Sequence, residues 1–250
     1  MRKFGLIGYP LGHSFSQKYF AEKFSRENIN DCLYDNYPLK HIELLPGLVA
    51  GNPELYGLNV TIPHKTAVLK YVDVTEPSVD EIGAANVLKF RRTGNDIEVY
   101  GYNTDVTGIR DSLLPYLKGN IRNVLILGTG GSSKAAAWTM RQIGLNVTFV
   151  SRMRKGDILS YSDLTEDHYR NTDLIINTTP LGMYPDISTR PDIDFKLLNE
   201  KHIIFDFVYN PEYTSFLKAG KERGCTIITG LKMLHSQADR SWEIWNDPEL

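Results

Sequence analysis

The stretch Val124-Leu-Ile-Leu-Gly-Thr-Gly-Gly131 decides the fold of the central part of this chain. Its apolar residues predict a short buried strand, and its glycines predict a sharp turn where that strand ends. Residues 132–143, which follow, are rich in helix formers. A strand, a glycine turn and a helix in this order are typical of a dinucleotide site, in which N–H groups at the helix N-terminus bind a pyrophosphate.

The same pattern is compatible with a glycine-rich turn of a doubly wound domain that binds no nucleotide. Ser133 stands where the strict G-x-G-x-x-G pattern has its third glycine. A P-loop is excluded because Lys134 lies between serine and alanine rather than in Gly-Lys-Ser/Thr. The nucleotide interpretation is the one we favour.

Length and composition indicate a soluble protein of two small domains. The chain has 250 residues, of which 42% are hydrophobic and 23% charged, and its formal net charge is −2. This charge gives no reason to expect a nucleic acid or an acidic membrane as partner. Cys32 and Cys225 are far apart and lack metal-ligand spacing, and no apolar run approaches a membrane span. We therefore expect a cytoplasmic protein. A monomer and a homodimer are both compatible with these features.

Strands and helices also alternate before the glycine turn, which predicts a second α/β unit there. Apolar runs predict strands at residues 4–8, 32–37, 56–62, 82–88 and 98–102, and aromatic residues at helical spacing predict a helix within 13–24. Ser14 and Gln17 fit a capping box at its start, with Ser16 as a second possible cap. Two hydroxyls at a helix N-terminus equally suit a carboxylate ligand.

Polar residues at the strand ends of this half carry the chemistry. Asn59 and Thr61 lie two apart and face one side of a strand end, and Lys65 follows at a helix start, where a cation is disfavoured. Asn86 is expected within an apolar strand, where it must be hydrogen-bonded. Asp105 directly precedes a stretch with apolar residues at helical spacing. Lys65 as a solvated surface lysine and Asp105 as a helix cap are the plainer alternatives.

The residues after the next strand, 145–150, indicate which nucleotide is bound. An acidic side chain there would bind the ribose 2′-hydroxyl of NAD, whereas arginine accommodates the 2′-phosphate of NADP. The chain reads Ser151-Arg-Met-Arg-Lys155, with no acid, which favours NADP over the alternative of a solvated basic loop. Further strands are predicted at residues 173–179, 202–207 and 226–229, and a closing amphipathic helix from residue 231 must be covered by the first half of the chain.

Motifs along nearly the whole chain resemble those of the shikimate dehydrogenase family. In chain order they are Gly8-Tyr-Pro-Leu-Gly-His-Ser-Phe-Ser16, Asn59-Val-Thr-Ile-Pro-His-Lys65, Ile82-Gly-Ala-Ala-Asn86, Gly101-Tyr-Asn-Thr-Asp105, Gly128-Thr-Gly-Gly131, Asn177-Thr-Thr-Pro-Leu-Gly-Met183 and Gly230-Leu-Lys-Met-Leu-His-Ser-Gln237. The resemblance implies an α/β protein with an N-terminal substrate domain, residues 1–104, completed by a C-terminal helix, residues 231–250. A Rossmann-type NADP domain with a doubly wound parallel sheet would occupy residues 105–230.

The implied reaction is the reversible NADPH-dependent reduction of 3-dehydroshikimate to shikimate, without a metal. The resemblance makes Lys65 and Asp105 the catalytic pair. It implies these substrate-binding residues: Ser14, Ser16, Asn59, Thr61, Asn86, Asp105, Tyr209 and Gln237. It implies these NADP-binding residues: Gly128, Thr129, Gly130, Gly131, Ser132, Ser151, Arg152, Arg154, Thr179, Phe207 and Gly230.

The residue types suit this chemistry, because hydride addition to a ketone builds negative charge on oxygen that an ammonium can stabilise and protonate. Three alternatives stand beside it: an NAD-preferring quinate/shikimate dehydrogenase, a catalytically silent relative that senses metabolites, and a reductase sharing only the cofactor domain. Arg152 argues against the NAD-preferring enzyme, and the presence of Lys65 and Asp105 argues against a silent relative. The serine pair, Ser14 and Ser16, argues against a reductase that shares only the cofactor domain.

Overall fold

The computed structural model describes residues 1–11, 15–94, 96–117 and 121–249. It divides the chain into two compact units. The first unit comprises Met1–Thr104 and Ala238–Leu250, and the second comprises Asp105–Gln237. In the described residues, no helix is long and apolar enough to cross a membrane.

The first unit contains a mixed six-stranded sheet. Its elements are β1 (Arg2–Gly8), α1 (Phe15–Arg26), β2 (Cys32–Pro38), α2 (Leu45–Ala50), β3 (Leu55–Val60), β4 (Val74–Thr75), α3 (Pro77–Ile82), β5 (Val87–Thr93) and β6 (Asp96–Tyr102), with 3-10 helices at Ile42–Leu44 and Ala67–Tyr71. The strand order is β2-β1-β3-β5-β6-β4. The β1 strand pairs in parallel with β2 and β3, whereas β5 is antiparallel to both neighbours.

Side chains alternate between the two faces of this sheet along each strand, and each face carries a buried apolar cluster. On β1, Phe4 packs with aromatic residues of α1 and of the C-terminal helix, whereas Ile7 packs in a second cluster with Leu58 of β3. The ring of Trp245 stacks on Phe4 at 4.8 Å between centroids. A Cβ at Gly57 would lie 2.2 Å from Trp245 Nε1, so glycine is required where the indole crosses the sheet. The expected cover for the apolar face of the closing helix is thus confirmed for these residues.

The second unit contains a six-stranded sheet in which every pairing is parallel. Its elements are α4 (Asp105–Leu113), β7 (Asn123–Leu127), α5 (Gly131–Gln142), β8 (Asn146–Ser151), β9 (Leu159–Ser160), α6 (Glu166–Arg170), β10 (Leu174–Asn177), β11 (Ile203–Asp206), α7 (Ser215–Glu222), β12 (Thr226–Ile228) and α8 (Gly230–Asn246), with 3-10 helices at Leu114–Tyr116, Tyr161–Asp163 and Phe195–Leu197. The unit boundary falls within α8.

The strand order β12-β11-β10-β7-β8-β9 is that of a doubly wound dinucleotide-binding sheet. The chain reverses its direction of winding between β7 and β10, and such a switch point leaves a crevice outside the carboxyl ends of the strands. The predicted strand, glycine turn and helix are confirmed as β7 and α5. The helix before β10, α6, has only five residues, and sequence patterning missed the strand β9, which has two residues.

One prediction about a polar residue is wrong. Asn86 was expected within an apolar strand, but β5 begins only at Val87. The backbone N–H of Asn86 donates to Tyr102 O at 3.0 Å, and its carbonyl accepts from Val60 N at 2.8 Å. Asn86 therefore lies directly before β5, and its side-chain amide is held by hydrogen bonds to Thr104.

Candidate active site

The glycine turn of the second unit lies at the switch point between β7 and β10. Gly128 adopts φ +117°, and a Cβ there would lie 2.7 Å from Thr178 Oγ1. An L side chain is therefore disfavoured at this position by conformation and by space. The hydroxyls of Ser133 and Thr178 are 2.6 Å apart, and Thr178 Oγ1 donates to Leu127 O. These hydrogen bonds fix the turn against the end of β10.

The start of α5 fits an anionic group of a nucleotide. Gly130 is the N-cap residue, with φ −79° and ψ −173°, and no side chain caps the helix. A Cβ at Gly130 would meet nothing within 4 Å, so the backbone is open at this point. The first turn contains no acidic residue. Because the first N–H groups of a helix lack intrahelical acceptors, this open start without an acidic residue can hold a pyrophosphate.

Ser132 connects this turn to the predicted catalytic aspartate. Its Oγ donates a hydrogen bond to Asp105 Oδ2 at 3.4 Å, within the second unit. Asp105 is the first residue of α4 and is 1% exposed. The structure thus brings together one residue expected to bind NADP and one expected to act in catalysis.

The loop after β8 carries the predicted selectivity residues. Ser151 ends the strand, and Arg152 follows it with an exposed side chain. Arg154 Nη1 lies 3.7 Å from Asp163 Oδ1, so part of its charge is balanced by an acid that the local sequence did not indicate. Arg152 makes no ion pair with an acidic residue in the described part of the chain. Of the two arginines, Arg152 is the better placed to meet an additional phosphate.

Thr179, Phe207 and Gly230 surround the ends of β10 and β11, where a buried polar network joins the strands. Asn177 Oδ1 accepts from the backbone N–H and the hydroxyl of Thr179. The backbone N–H of Phe207 donates to Asn177 O at 2.9 Å. A Cβ at Gly230 would lie 2.6 Å from Phe207 O, which requires glycine at the start of α8. These three predicted residues are therefore neighbours within the second unit.

Asp206 is the centre of this network and was not singled out by the sequence. Its side chain is completely buried and accepts hydrogen bonds from Asn177 Nδ2, Thr214 Oγ1 and Val208 N, at 2.9, 2.6 and 3.0 Å. Burial raises the pKa of Asp206 to about 7, against the effect of these three donors. Through Val208, the carboxyl group also fixes the backbone next to Tyr209, whose pKa is raised by burial. The sequence signal that could have indicated Asp206 is its position as a polar residue at the end of an apolar run.

The first unit contains the predicted substrate residues Asn59, Thr61, Lys65 and Asn86. The Asn59 amide is held on both sides, since Oδ1 accepts from Tyr34 Oη at 2.8 Å and Nδ2 donates to Ser241 Oγ at 2.9 Å. Thr61 follows β3, and its backbone N–H donates to Ile7 O. The structure brings these strand ends together in one sheet, although the residues are far apart in sequence.

Lys65 and Asn86 are connected through one short turn. The backbone N–H of Ala85 donates to Lys65 O at 2.8 Å. The Asn86 amide faces Thr104, because Oδ1 accepts from Thr104 N at 2.7 Å and Nδ2 donates to Thr104 Oγ1 at 3.1 Å. His64, beside the lysine, is buried, and its Nε2 bonds to Leu39 O, so it packs within the first unit.

The remaining predicted substrate residues belong to the N-terminal and C-terminal parts of the chain. Ser14 lies outside the described residues, so its predicted cap and ligand roles stay predictions. Ser16 is the second residue of α1 and is partly exposed, and Gln17 Oε1 accepts from Asn36 Nδ2 at 3.1 Å. Gln237 lies on α8 in the second unit and is partly exposed. Among the described residues, no group of three His, Cys, Asp or Glu side chains is arranged to hold a metal ion.

Comparison with known proteins identifies the family. A family model described as the shikimate dehydrogenase substrate binding domain matches residues 6–88. The chain is 35% identical over 259 residues to a shikimate dehydrogenase (NADP(+)) of Methanococcus aeolicus, with 96% of this chain and 90% of that relative covered. This chain belongs to the shikimate dehydrogenase family.

Solved structures of shikimate dehydrogenases share its fold. A crystal structure of a family member in complex with NADP+ superposes with a TM-score of 0.86 at 30% identity, covering 98% of this chain and 90% of the other. The enzyme of Thermus thermophilus in complex with NADP(H) and shikimate superposes with a TM-score of 0.85 at 27% identity, covering 100% and 96%. The family and the fold class predicted from the sequence are both confirmed.

Proposed function

We propose that this chain catalyses the reversible NADPH-dependent reduction of 3-dehydroshikimate to shikimate. The observation that carries the proposal is the extent of the similarity: a relative named shikimate dehydrogenase (NADP(+)) aligns with 96% of the chain, so that the alignment includes both compact units. The chain is therefore an NADP-dependent oxidoreductase that acts on a small molecule, as the sequence predicted.

The proposal assigns cofactor binding to the second unit and most of the substrate binding to the first. The second unit would hold NADP, with the pyrophosphate at Gly128–Ser132 and the 2′-phosphate at Arg152, supported by the parallel sheet and the open start of α5. The first unit would supply most of the contacts to the substrate. Monomeric or dimeric state, cytoplasmic location and the absence of a nucleic-acid partner stay predictions from the sequence.

The chemistry assigned to the chain's own residues follows from the charge that the reaction creates. When bound in the second unit, NADPH would supply the hydride that reduces the substrate carbonyl. Lys65 stabilises the negative charge that develops on the carbonyl oxygen and transfers a proton from Nζ to that oxygen. Asp105 accepts a hydrogen bond from a ring hydroxyl, and its buried carboxyl group is held in part by Ser132. In the reverse direction, Lys65 Nζ takes the hydroxyl proton.

The substrate is held by groups whose orientation the fold fixes. The asparagine amides of Asn59 and Asn86 are held by hydrogen bonds within the first unit and are proposed to bind ring hydroxyls. Ser14 and Ser16 are proposed to bind the carboxylate, and Thr61, Tyr209 and Gln237 to complete the contacts. An NAD-preferring quinate dehydrogenase is not favoured, because β8 ends at Ser151 and is followed by Arg152 rather than by an acid.

The proposal is tested by measuring oxidation of shikimate and of quinate with NADP+ and with NAD+. Shikimate with NADP+ should be the preferred pair. Lys65→Ala should lower kcat by about 10²- to 10⁴-fold, the range for loss of a general acid or base, with folding retained. Lys70→Ala is the matched control, because Lys70 is an exposed lysine of the next 3-10 helix. Preference for quinate with NAD+ would contradict the proposed reaction, and near-normal turnover of Lys65→Ala would contradict the mechanism.

A further inference from the structure

Ser241 lies at the centre of a buried hydrogen-bonded chain in the first unit. It belongs to α8, and its side chain is completely buried. Its Oγ accepts from Asn59 Nδ2 at 2.9 Å and lies 3.4 Å from Thr104 Oγ1. A hydroxyl can donate one hydrogen bond and accept others, so Ser241 can accept from Asn59 while it donates to Thr104.

The chain continues beyond both neighbours of Ser241. On one side, Tyr34 Oη donates to Asn59 Oδ1 at 2.8 Å. On the other side, Thr104 faces the Asn86 amide with its backbone N–H, at 2.7 Å, and with its hydroxyl. All five residues belong to the same compact unit. One continuous hydrogen-bonded path therefore joins the side-chain amides of Asn59 and Asn86.

We infer that Ser241 is a positioning residue for substrate binding, because its hydroxyl sets the orientation of the Asn59 amide and, through Thr104, that of the Asn86 amide. The inference rests on the proposed function, in which both asparagines bind ring hydroxyls. Neither the glycine turn nor the motifs of the N-terminal half pointed to this serine.

The physical reason is the near symmetry of an amide group. Its oxygen and nitrogen have almost the same size but opposite hydrogen-bonding roles, so a rotated amide presents a donor where an acceptor is needed. At Asn59, Tyr34 donates to the oxygen and Ser241 accepts from the nitrogen, which specifies one of the two orientations. Loss of the Ser241 hydroxyl removes this acceptor, so that Asn59 Nδ2 loses its hydrogen bond to the serine.

The test compares Ser241→Ala with Ser112→Ala. Ser112 is also a buried helical serine, but its hydroxyl donates to Gly108 O of its own helix. Side-chain amide signals of Asn59 and Asn86 are recorded by NMR and identified by their loss in Asn59→Ala and Asn86→Ala. Ser241→Ala should shift both signals, whereas Ser112→Ala should shift neither. Ser241→Cys, which keeps the volume but forms weaker hydrogen bonds, should give the same shifts if the alanine variant folds poorly.

The kinetic readout separates positioning from general loss of stability. Ser241→Ala should raise KM for shikimate about fivefold to tenfold, as expected for one weakened hydrogen-bonding site, while KM for NADP+ stays unchanged. Unchanged amide signals, or a shikimate KM equal to that of Ser112→Ala, would overturn the role of Ser241 while the proposed function stands. A wild-type protein that does not oxidise shikimate would overturn the proposed function and, with it, this inference.

Discussion

The backbone N–H of Ala85 donates a hydrogen bond to the carbonyl oxygen of Lys65, at 2.8 Å. The preceding carbonyl, that of Ala84, accepts from Asn103 Nδ2 at the same distance. Both alanines are completely buried. The proposed catalytic lysine is therefore anchored by its backbone to a turn that is itself held by an asparagine side chain, so its position does not depend on its own loop alone.

Replacement of Asn103 should disturb catalysis through this turn. Asn103→Ala removes the donor to Ala84 O, and we expect kcat to fall several-fold, with a loss of about 1 kcal/mol in the free energy of unfolding. The loss of stability is limited because the substitution also removes Asn103 Oδ1. This oxygen is buried without a hydrogen-bond partner in the described residues, which is unfavourable in the wild type. Steady-state kinetics and urea unfolding measure the two effects. Asn52→Ala, which also removes a donor to a backbone carbonyl, serves as the control and should leave kcat unchanged.

Gly128 and Gly130 should respond differently to the same added methyl group. Gly128→Ala should destabilise the fold by about 1–3 kcal/mol, because φ is positive and Thr178 Oγ1 occupies the space of the Cβ. Gly130→Ala should change stability by less than about 0.5 kcal/mol, since its Cβ would meet no atom within 4 Å.

The functional result of the Gly130 substitution is the more informative one. Its methyl group would occupy the space through which the backbone meets the pyrophosphate, so KM for NADP+ should rise while KM for shikimate does not. Thermal unfolding and steady-state kinetics of both variants provide the data. A normal KM for NADP+ in a stable Gly130→Ala protein would argue against a pyrophosphate at this turn.

Arg152 should determine the preference for NADP+ over NAD+. Arg152→Ala should raise KM for NADP+ about tenfold and should leave KM for NAD+ unchanged. This increase is at the lower end for loss of a charge-assisted hydrogen bond, because the Arg152 side chain is exposed. Arg154→Ala should have a smaller effect, since Asp163 already balances part of its charge. Equal effects of Arg152→Ala on both cofactors would contradict recognition of a 2′-phosphate by this residue.

Asp206 should give the protein a stability that falls as the pH rises from about 4 to about 7. Its pKa is near 7 in the folded protein and near the usual value of 3.8 after unfolding, so the folded state holds a proton that the unfolded chain releases. The contribution is complete below pH 4 and is lost through pH 7, with a limit of about 4 kcal/mol. Asp206→Asn should lack this slope.

Chemical unfolding of wild type and Asp206→Asn at pH 4, 5, 6 and 7 tests this prediction. The difference between their free energies of unfolding isolates the carboxyl group from all other titrating residues. The variant should also be less stable at low pH by roughly 1–3 kcal/mol, because an amide cannot accept from all three donors. Parallel curves over this range would show that Asp206 is not protonated in the folded protein.

Local sequence was informative wherever short-range patterns decide structure. The strand predicted at residues 98–102 is confirmed as part of β6, which is antiparallel to β5. The prediction for Asn86 is wrong because an apolar run does not show at which residue the strand begins. The two-residue strand β9 was missed because its polar sequence carries no periodicity, and only pairing with β8 makes it a strand.

The sequence by itself determined the family, the strand–glycine–helix turn and the residue types of the candidate site. These depend on local periodicity, on glycines at positions that exclude a side chain, and on motifs in a fixed order. Only the tertiary structure decided which residues support that site. Ser241 reaches Asn59 across 182 positions, Asp163 balances Arg154, and Asp206 joins two strands that are separate in sequence. Such contacts depend on which strands become neighbours in the sheets, and this is set by packing over the whole chain rather than by local propensity.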